Sequence, residues 1–175
     1  MTFDLVGVGL NATDTLLVVP HFPEYGGKVP FTQEILSPGG QVASALATAA
    51  KLGLRAKYIG VVGDDDRSRI QLDSLRETGM NLDDVEVRPN CPNQSAYIVI
   101  DQTTGERTVF WNRPDCLRLD PARITPENVV GARMLHVDGH DTPAVAKADC
   151  WTRWPNGPPR PASRSCPAPS TRSPC

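Results

Sequence analysis

No run of apolar residues in this chain approaches the roughly 20 that a membrane-spanning helix requires, and the start Met1-Thr2-Phe3-Asp4 lacks the basic stretch of a secretory leader. An excess of one charge is lacking too. Eighteen basic residues against 20 acidic ones leave a net charge of -2, which is too weak a field to gather nucleic acid or anionic lipid. The partners expected are therefore small molecules, with neither nucleic acid nor membrane among them, and the default compartment is the cytoplasm. Cysteine is sparse and irregular. Cys91, Cys116, Cys150, Cys166 and Cys175 make an odd number without CxxC spacing, a pattern that predicts neither a disulfide framework nor a zinc site. No G-x-x-x-x-G-K-[ST] string occurs, which removes the P-loop readings. Acidic residues vanish after Asp149, where arginine, proline, serine and cysteine take over. That composition offers no periodic apolar face, so residues 149–175 are expected to be a disordered tail.

What remains, residues 1–148, reads as one α/β domain. Phe3–Gly9 is a short apolar run ended by glycine, as in the buried first strand of a parallel sheet. Leu16–Val19 and Val29–Ile35 are extended segments whose prolines suit strands at a sheet edge. In Gln41–Leu52 the residues Val42, Leu46, Ala49 and Ala50 share a helical face, and Gly53 supplies the stop. Ala56–Val62 reads as a second core strand, and Asp64-Asp65-Asp66 opens a helix that closes before Gly79. Gln94–Asp101 and Arg107–Asn112 flank Thr103-Thr104-Gly105-Glu106 as a hairpin. Pro126–Val130 is expected to be a helical turn, Arg133–Val137 a third core strand, and Thr142–Ala148 a helix that stops short of two turns. The sum is a βαβαβ core with extended insertions.

Gly7-Val8-Gly9-Leu10-Asn11-Ala12 matches the letters of a dinucleotide fingerprint, but Asp14–Pro23 is β-branched and proline-bounded where the fingerprint demands a helix. A different constellation is more promising. Asn11 and Asp14 lie past the first strand, and Gly39-Gly40-Gln41-Val42-Ala43-Ser44 opens a helix; these are the two places where an α/β core offers a ligand. A sugar presents hydroxyls that both donate and accept, so its site needs a carboxylate, amides and glycines that let backbone N–H groups approach. On the residues alone, Asx turns and a tight glycine loop explain the same letters equally well. His136-Val137-Asp138-Gly139-His140-Asp141 ends the third strand; its two histidines flank a strand end and do not share one face of a helix, as an i, i+4 metal pair would. Asp64-Asp65-Asp66 is explained by a helix start favouring negative charge.

The order and spacing of Pro38–Leu52-Gly53, Ile59-Gly60-Val61-Val62-Gly63-Asp64-Asp65, Leu75 and Gly79-Met80 resemble the first signature region of the PfkB (ribokinase-like) carbohydrate kinases. Thr104–Thr108 with Trp111-Asn112-Arg113-Pro114 resembles that family's lid hairpin. The resemblance implies a ribokinase-like parallel-sheet core with a small β lid, the lid strands falling within 14–36 and 94–112. It implies sugar contacts at Asn11, Asp14, Gly39, Gly40, Gln41, Ser44 and Asp138, with Ser44 standing where many members carry asparagine. It also implies ATP and magnesium for the full-length family, and a homodimer through the lid strands. Neither the family's Gly-Ala-Gly-Asp segment, which supplies anion hole and base, nor its Asn-x-x-Glu segment occurs in this sequence. The expectation is thus the amino-terminal, sugar-binding half of such a kinase, truncated and inactive alone, its tail produced by a frameshift near Ala148 or evolved as such. A non-catalytic sugar-binding or interaction protein, and a nucleoside-kinase relative, stay open beside it.

Overall fold

The computed structural model describes residues 3–153. Two four-stranded sheets organise them. The core sheet contains β1 (Leu5–Val8), β4 (Ala56–Val62), β5 (Asn81–Val87) and β8 (Met134–Val137) in the order β5-β4-β1-β8, all parallel. β1 and β4 are buried along their whole length, which is why they read as continuous apolar runs. Their side chains alternate between two cores. Val6, Val8, Ile59 and Val61 pack on one face with Leu117, Ile124, Val129 and Ala144, beneath the helices α3 (Pro126–Val129) and α4 (Thr142–Arg153). Leu5 and Tyr58 pack on the other with Val42, Leu46, Ala49 and Leu75 of α1 (Gln41–Lys51) and α2 (Asp66–Glu77). Burial of the valine, leucine and isoleucine side chains contributes about 1.5–3 kcal/mol each before entropy is counted, so the sheet and its helices form the rigid base for the site.

The second sheet runs β3-β2-β6-β7, from β2 (Ala12–Val19), β3 (Gln33–Gly39), β6 (Ser95–Asp101) and β7 (Arg107–Asn112). β2 pairs antiparallel with β3 and parallel with β6, while β6 and β7 form the expected hairpin. The sheet projects from the core as a lid, and every residue of β7 is exposed.

Several expectations need correction. β5 is an unforeseen fourth core strand: Leu82 and Val85 pack against the core, but adjacent Asp83 and Asp84, where the pairing with β4 shifts register, break the alternation, and the acidic residues masked the strand. β2 begins at Ala12, ahead of the expected Leu16, and lies inside its sheet between β3 and β6, so of the two segments expected at an edge β3 alone is one. α4 runs for 12 residues through Arg153, not less than two turns, and so continues past Asp149 into the stretch where the sequence predicts it to have ended; Pro143 sits in its first turn, where no amide is required. The remainder of the tail expected from residue 149 onward, 154–175, lies outside the described residues. Cys91 and Cys116 form a disulfide across 25 residues of sequence. Counting and spacing could not reveal it, since the pair is created by the hairpin, which leaves the core near Cys91 and returns to it at Cys116.

Candidate functional site

The site begins with the turn between β1 and β2. Asn11 is buried at its centre and its side chain is spent on holding it. Its Nδ2 donates to the Val61 carbonyl (2.7 Å) and to the Tyr58 hydroxyl (3.0 Å), and its Oδ1 accepts from Asn93 Nδ2 (3.1 Å). Tyr58 in turn donates to the Gly9 carbonyl (2.8 Å). Burial pushes the Tyr58 phenol well above its ordinary pKa, against the opposing pull of the Asn11 hydrogen bond, so it remains a neutral donor. Asn93 also accepts from the Gly63 amide (3.3 Å) and donates its own amide to Asp65 (3.1 Å), which ties the turn to the start of α2.

On this turn three features converge. Gly39 lies so close to the carboxylate of Asp14 that a Cβ there would stand 2.5 Å from Asp14 Oδ2. Gly40, with φ +95°, packs against the backbone of Asn11 and Ala12, and an added Cβ would overlap the Asn11 Cα. It occupies the N-cap of α1, which has no side-chain cap. Its place in a region only glycine adopts freely lets the helix entrance approach the β1–β2 turn. Gly9 lies between Val42 of α1 and Asp138, with the latter's Cγ 2.7 Å from where its Cβ would be. Asp138 accepts from the amides of Leu10 (2.8 Å) and His140 (3.0 Å), which anchors the end of β8 to the same turn. Asp14 and Gly40 thus share one corner at the carboxyl ends of β1 and β8, the position where open α/β sheets bind ligands.

The neighbours of that corner brace it from α2. Gln71 exchanges two hydrogen bonds of 3.2 Å with the backbone of Gly39, its amide matching the peptide's donor and acceptor. Arg67 donates to the Thr13 carbonyl and to Thr15 Oγ1, both at 3.0 Å, on the two sides of Asp14. Burial raises the Asp14 carboxyl above the ordinary carboxylate range, and the nearby Arg67 cation only partly offsets this. Asp65 caps α2, accepting from the amide (2.9 Å) and hydroxyl (2.7 Å) of Ser68. Burial would raise its carboxyl, but those bonds, the Asn93 amide and Arg67 outweigh it and leave the pKa lowered. Asp64 bonds the amides of Asn90 and Cys91. The acidic triplet therefore fixes a helix start and a loop. Gln41 and Ser44 are exposed on the first turn of α1, while His136 is half-buried and His140 exposed at the strand end. Among the described residues no group of three or more His, Cys, Asp or Glu is arranged to hold a metal ion.

Of the residues expected to contact a sugar, the fold brings Asn11, Asp14, Gly39, Gly40 and Asp138 together at this corner, with Gln41 and Ser44 on the adjoining turn of α1. The sequence did not single out Tyr58, Arg67, Gln71 and Asn93 as neighbours of that corner; their letters look like ordinary strand, helix and loop residues until the fold brings them together. The open groove lined by Phe3, Arg55, Arg76, Met80 and Asn81 lies at the amino ends of β4 and β5, the opposite end of the sheet. Its arginines are already paired with Asp4 and Asp73.

With this geometry in place, the class is defined: residues 4–156 match the pfkB family of carbohydrate kinases, and the chain belongs to that family. Among relatives, an ATP-dependent ribose-1-phosphate kinase of Halopiger xanaduensis is 28% identical over 71% of this chain and 42% of that one. A 5-dehydro-2-deoxygluconokinase of Bacillus subtilis is 27% identical over 78% of this chain and 42% of its own length. Arabidopsis thaliana ribokinase complexed with ribose and ATP superposes with a TM-score of 0.66 at 22% identity, covering 85% of this chain and 50% of that one. The chain spans less than half the length of those two sequence relatives, and the fold is a ribokinase-like α/β core with its lid.

Proposed function

We propose that this chain carries the sugar-binding half of a PfkB-type kinase, with a polyol held between Asp14, the Gly39-Gly40 peptide and the open first turn of α1. The observation that supports it most directly is the meeting of an unpaired carboxylate with an uncapped helix entrance. The Asp14 carboxylate accepts no hydrogen bond among the described residues, and it faces backbone that only glycine allows to come so near. A carboxylate accepts from a sugar hydroxyl, and free helix amides donate to another. Gln41 and Ser44 extend the donor set along α1, and Asp138 offers its remaining lone pairs from β8. Asn11 supports the turn, with only the second lone pair of Oδ1 left for a ligand.

The residues gathered here fit a neutral polyol better than a triphosphate: the side chains turned to the corner are acidic or neutral, and Arg67 is engaged by Thr13 and Thr15. ATP and its magnesium would be held elsewhere in a full-length family member, where the Gly-Ala-Gly-Asp segment absent from this sequence would supply anion hole and base. No phosphoryl-transfer step is assigned to this chain. The parent activity is phosphorylation of a sugar hydroxyl, and a nucleoside would present the same ribose hydroxyls. A second copy is proposed to pair through the exposed lid strands, as the family resemblance implies, and the cytoplasm is the compartment that suits this chemistry.

Calorimetric titration with D-ribose, D-fructose and adenosine tests the reading. One of them should bind saturably without nucleotide, and Asp14→Ala should abolish the heat. Equal binding by wild type and variant would remove Asp14 from the site.

A further inference from the structure

Gln94 is buried to nine-tenths, with 9% exposure, and its Oε1 has no hydrogen-bond partner among the described residues. A buried amide oxygen left unpaired is costly and uncommon, and it calls for an explanation in an unseen partner. The position of Gln94 suggests which. Its backbone carbonyl accepts from the Thr13 amide (3.0 Å), which places it in the β2–β6 ladder just before the Thr13–Ser95 and Asp14–Ala96 pairs. Neighbouring strands in register present paired residues on the same face, and side chains two apart on a strand share a face. Gln94 therefore shares the face of Ala96 and Asp14, level with Ala12, which is itself paired with Gly39 on the other side. The row Gly39, Ala12, Gln94 crosses the base of the lid beside Asp14, with small side chains flanking the glutamine.

We propose that Gln94 is a specificity-determining residue of this site, its Oε1 accepting a hydrogen bond from one hydroxyl of the bound sugar. The inference rests on the sugar-binding reading and adds to it a demand for a hydroxyl donor at one defined position. A sugar lacking that hydroxyl would leave the oxygen buried and unpaired, so discrimination would come from the cost of the empty contact as well as from the bond itself.

The test compares wild type with Gln94→Met, which keeps the length of the side chain and removes the acceptor. D-ribose and D-fructose are titrated, followed by the monodeoxy analogues of whichever binds. Wild type should prefer the parent sugar over one particular deoxy analogue by roughly tenfold or more, and in Gln94→Met that preference should collapse towards unity. The variant should also unfold at a higher urea concentration than wild type, because an unsatisfied buried oxygen has been removed. A residue that merely supported the fold would lose binding and stability together. As a second measurement, the side-chain amide resonances of Gln94 in the wild-type chain should shift on addition of the sugar. If wild type binds sugar while Gln94→Met keeps both affinity and deoxy preference, the role given to Gln94 is wrong and the sugar site stands. If no sugar binds wild type, the sugar site fails, and the role of Gln94 fails with it.

Discussion

Replacing Gly40 by alanine tests the corner on which the functional reading depends, and Gly53 provides its control. Both glycines have positive φ, +95° and +89°. Gly53 follows α1 in open space, with nothing within 4 Å of an added Cβ, whereas at Gly40 the new atom would overlap the Asn11 Cα and lie 2.8 Å from its carbonyl carbon and 2.9 Å from the Ala12 nitrogen. Those neighbours are backbone, so no rotamer change relieves them. Gly53→Ala should cost only the left-handed conformation, about 1–2 kcal/mol. Gly40→Ala carries a comparable or larger conformational cost of about 1–3 kcal/mol and adds overpacking of about 1–3 kcal/mol. The expected separation between the variants is thus about 1–3 kcal/mol. Urea denaturation followed by circular dichroism reads it as a difference in midpoint at constant slope. Sugar binding should fall in Gly40→Ala, where α1 is pushed off the β1–β2 turn, and persist in Gly53→Ala. Equal destabilisation of the two variants would mean that α1 does not approach Asn11 as described, and the corner would lose its geometry.

Asp14→Asn should separate stability from binding. The Asp14 carboxyl is raised in the folded state by burial, so its favourable contribution is complete below the unfolded carboxylate pKa of about 3.9 and is lost as pH rises through the higher folded value. Asp14→Asn should consequently raise the urea midpoint relative to wild type at pH 7, with the gain vanishing in acid, while sugar binding is lost; a midpoint difference independent of pH would refute this. Tyr58→Phe strips the Gly9 carbonyl of a donor and Asn11 of an acceptor in a dry network, which should cost about 1–3 kcal/mol, and a measured cost near zero would mean the network is not closed. Reducing the Cys91–Cys116 bridge opens a loop spanning 25 residues of sequence and containing the β6–β7 hairpin. By loop-closure entropy it should cost about 3–4 kcal/mol, read as the shift in urea midpoint on adding dithiothreitol, and the Cys116→Ser variant should show no such shift.

Much of this architecture was legible because the physics that forms it is local. β4 announces itself as an unbroken apolar run, and α1 by Val42, Leu46 and Ala49 on one face followed by Gly53. Asp64-Asp65-Asp66 reads as a helix start because negative charge is favoured there, and Asp65 caps α2. Asp14, Gly39 and Gly40 were legible through family spacing, not through their own chemistry. β5 was not, since an edge strand in which Asp83, Asp84 and Glu86 interrupt the apolar residues has the composition of a loop. The disulfide and the supporting residues were invisible for a common reason. Asn11 with Asn93, and Gly39 with Gln71, are separated by 82 and 32 positions, and one sequence holds no record of which distant side chains meet.

The division of labour at the corner can be read from how each polar group is spent. Asn11, Tyr58, Asn93 and Gln71 have exchanged water for protein partners, and a group satisfied in this way stabilises the fold but has little left to offer a ligand. Asp14 and Gln94 are the opposite case. One is a carboxylate that burial makes costly to ionise, and the other carries a buried oxygen with nothing to accept. Both weaken the protein where they stand, and both lie on the same face of the lid base beside Gly39. Destabilising groups persist when a function requires them, and a polyol with hydroxyls directed at the two oxygens would convert both costs into binding energy. Removing either should therefore strengthen the fold and weaken the site, while removing any of the satisfied four should weaken the fold first.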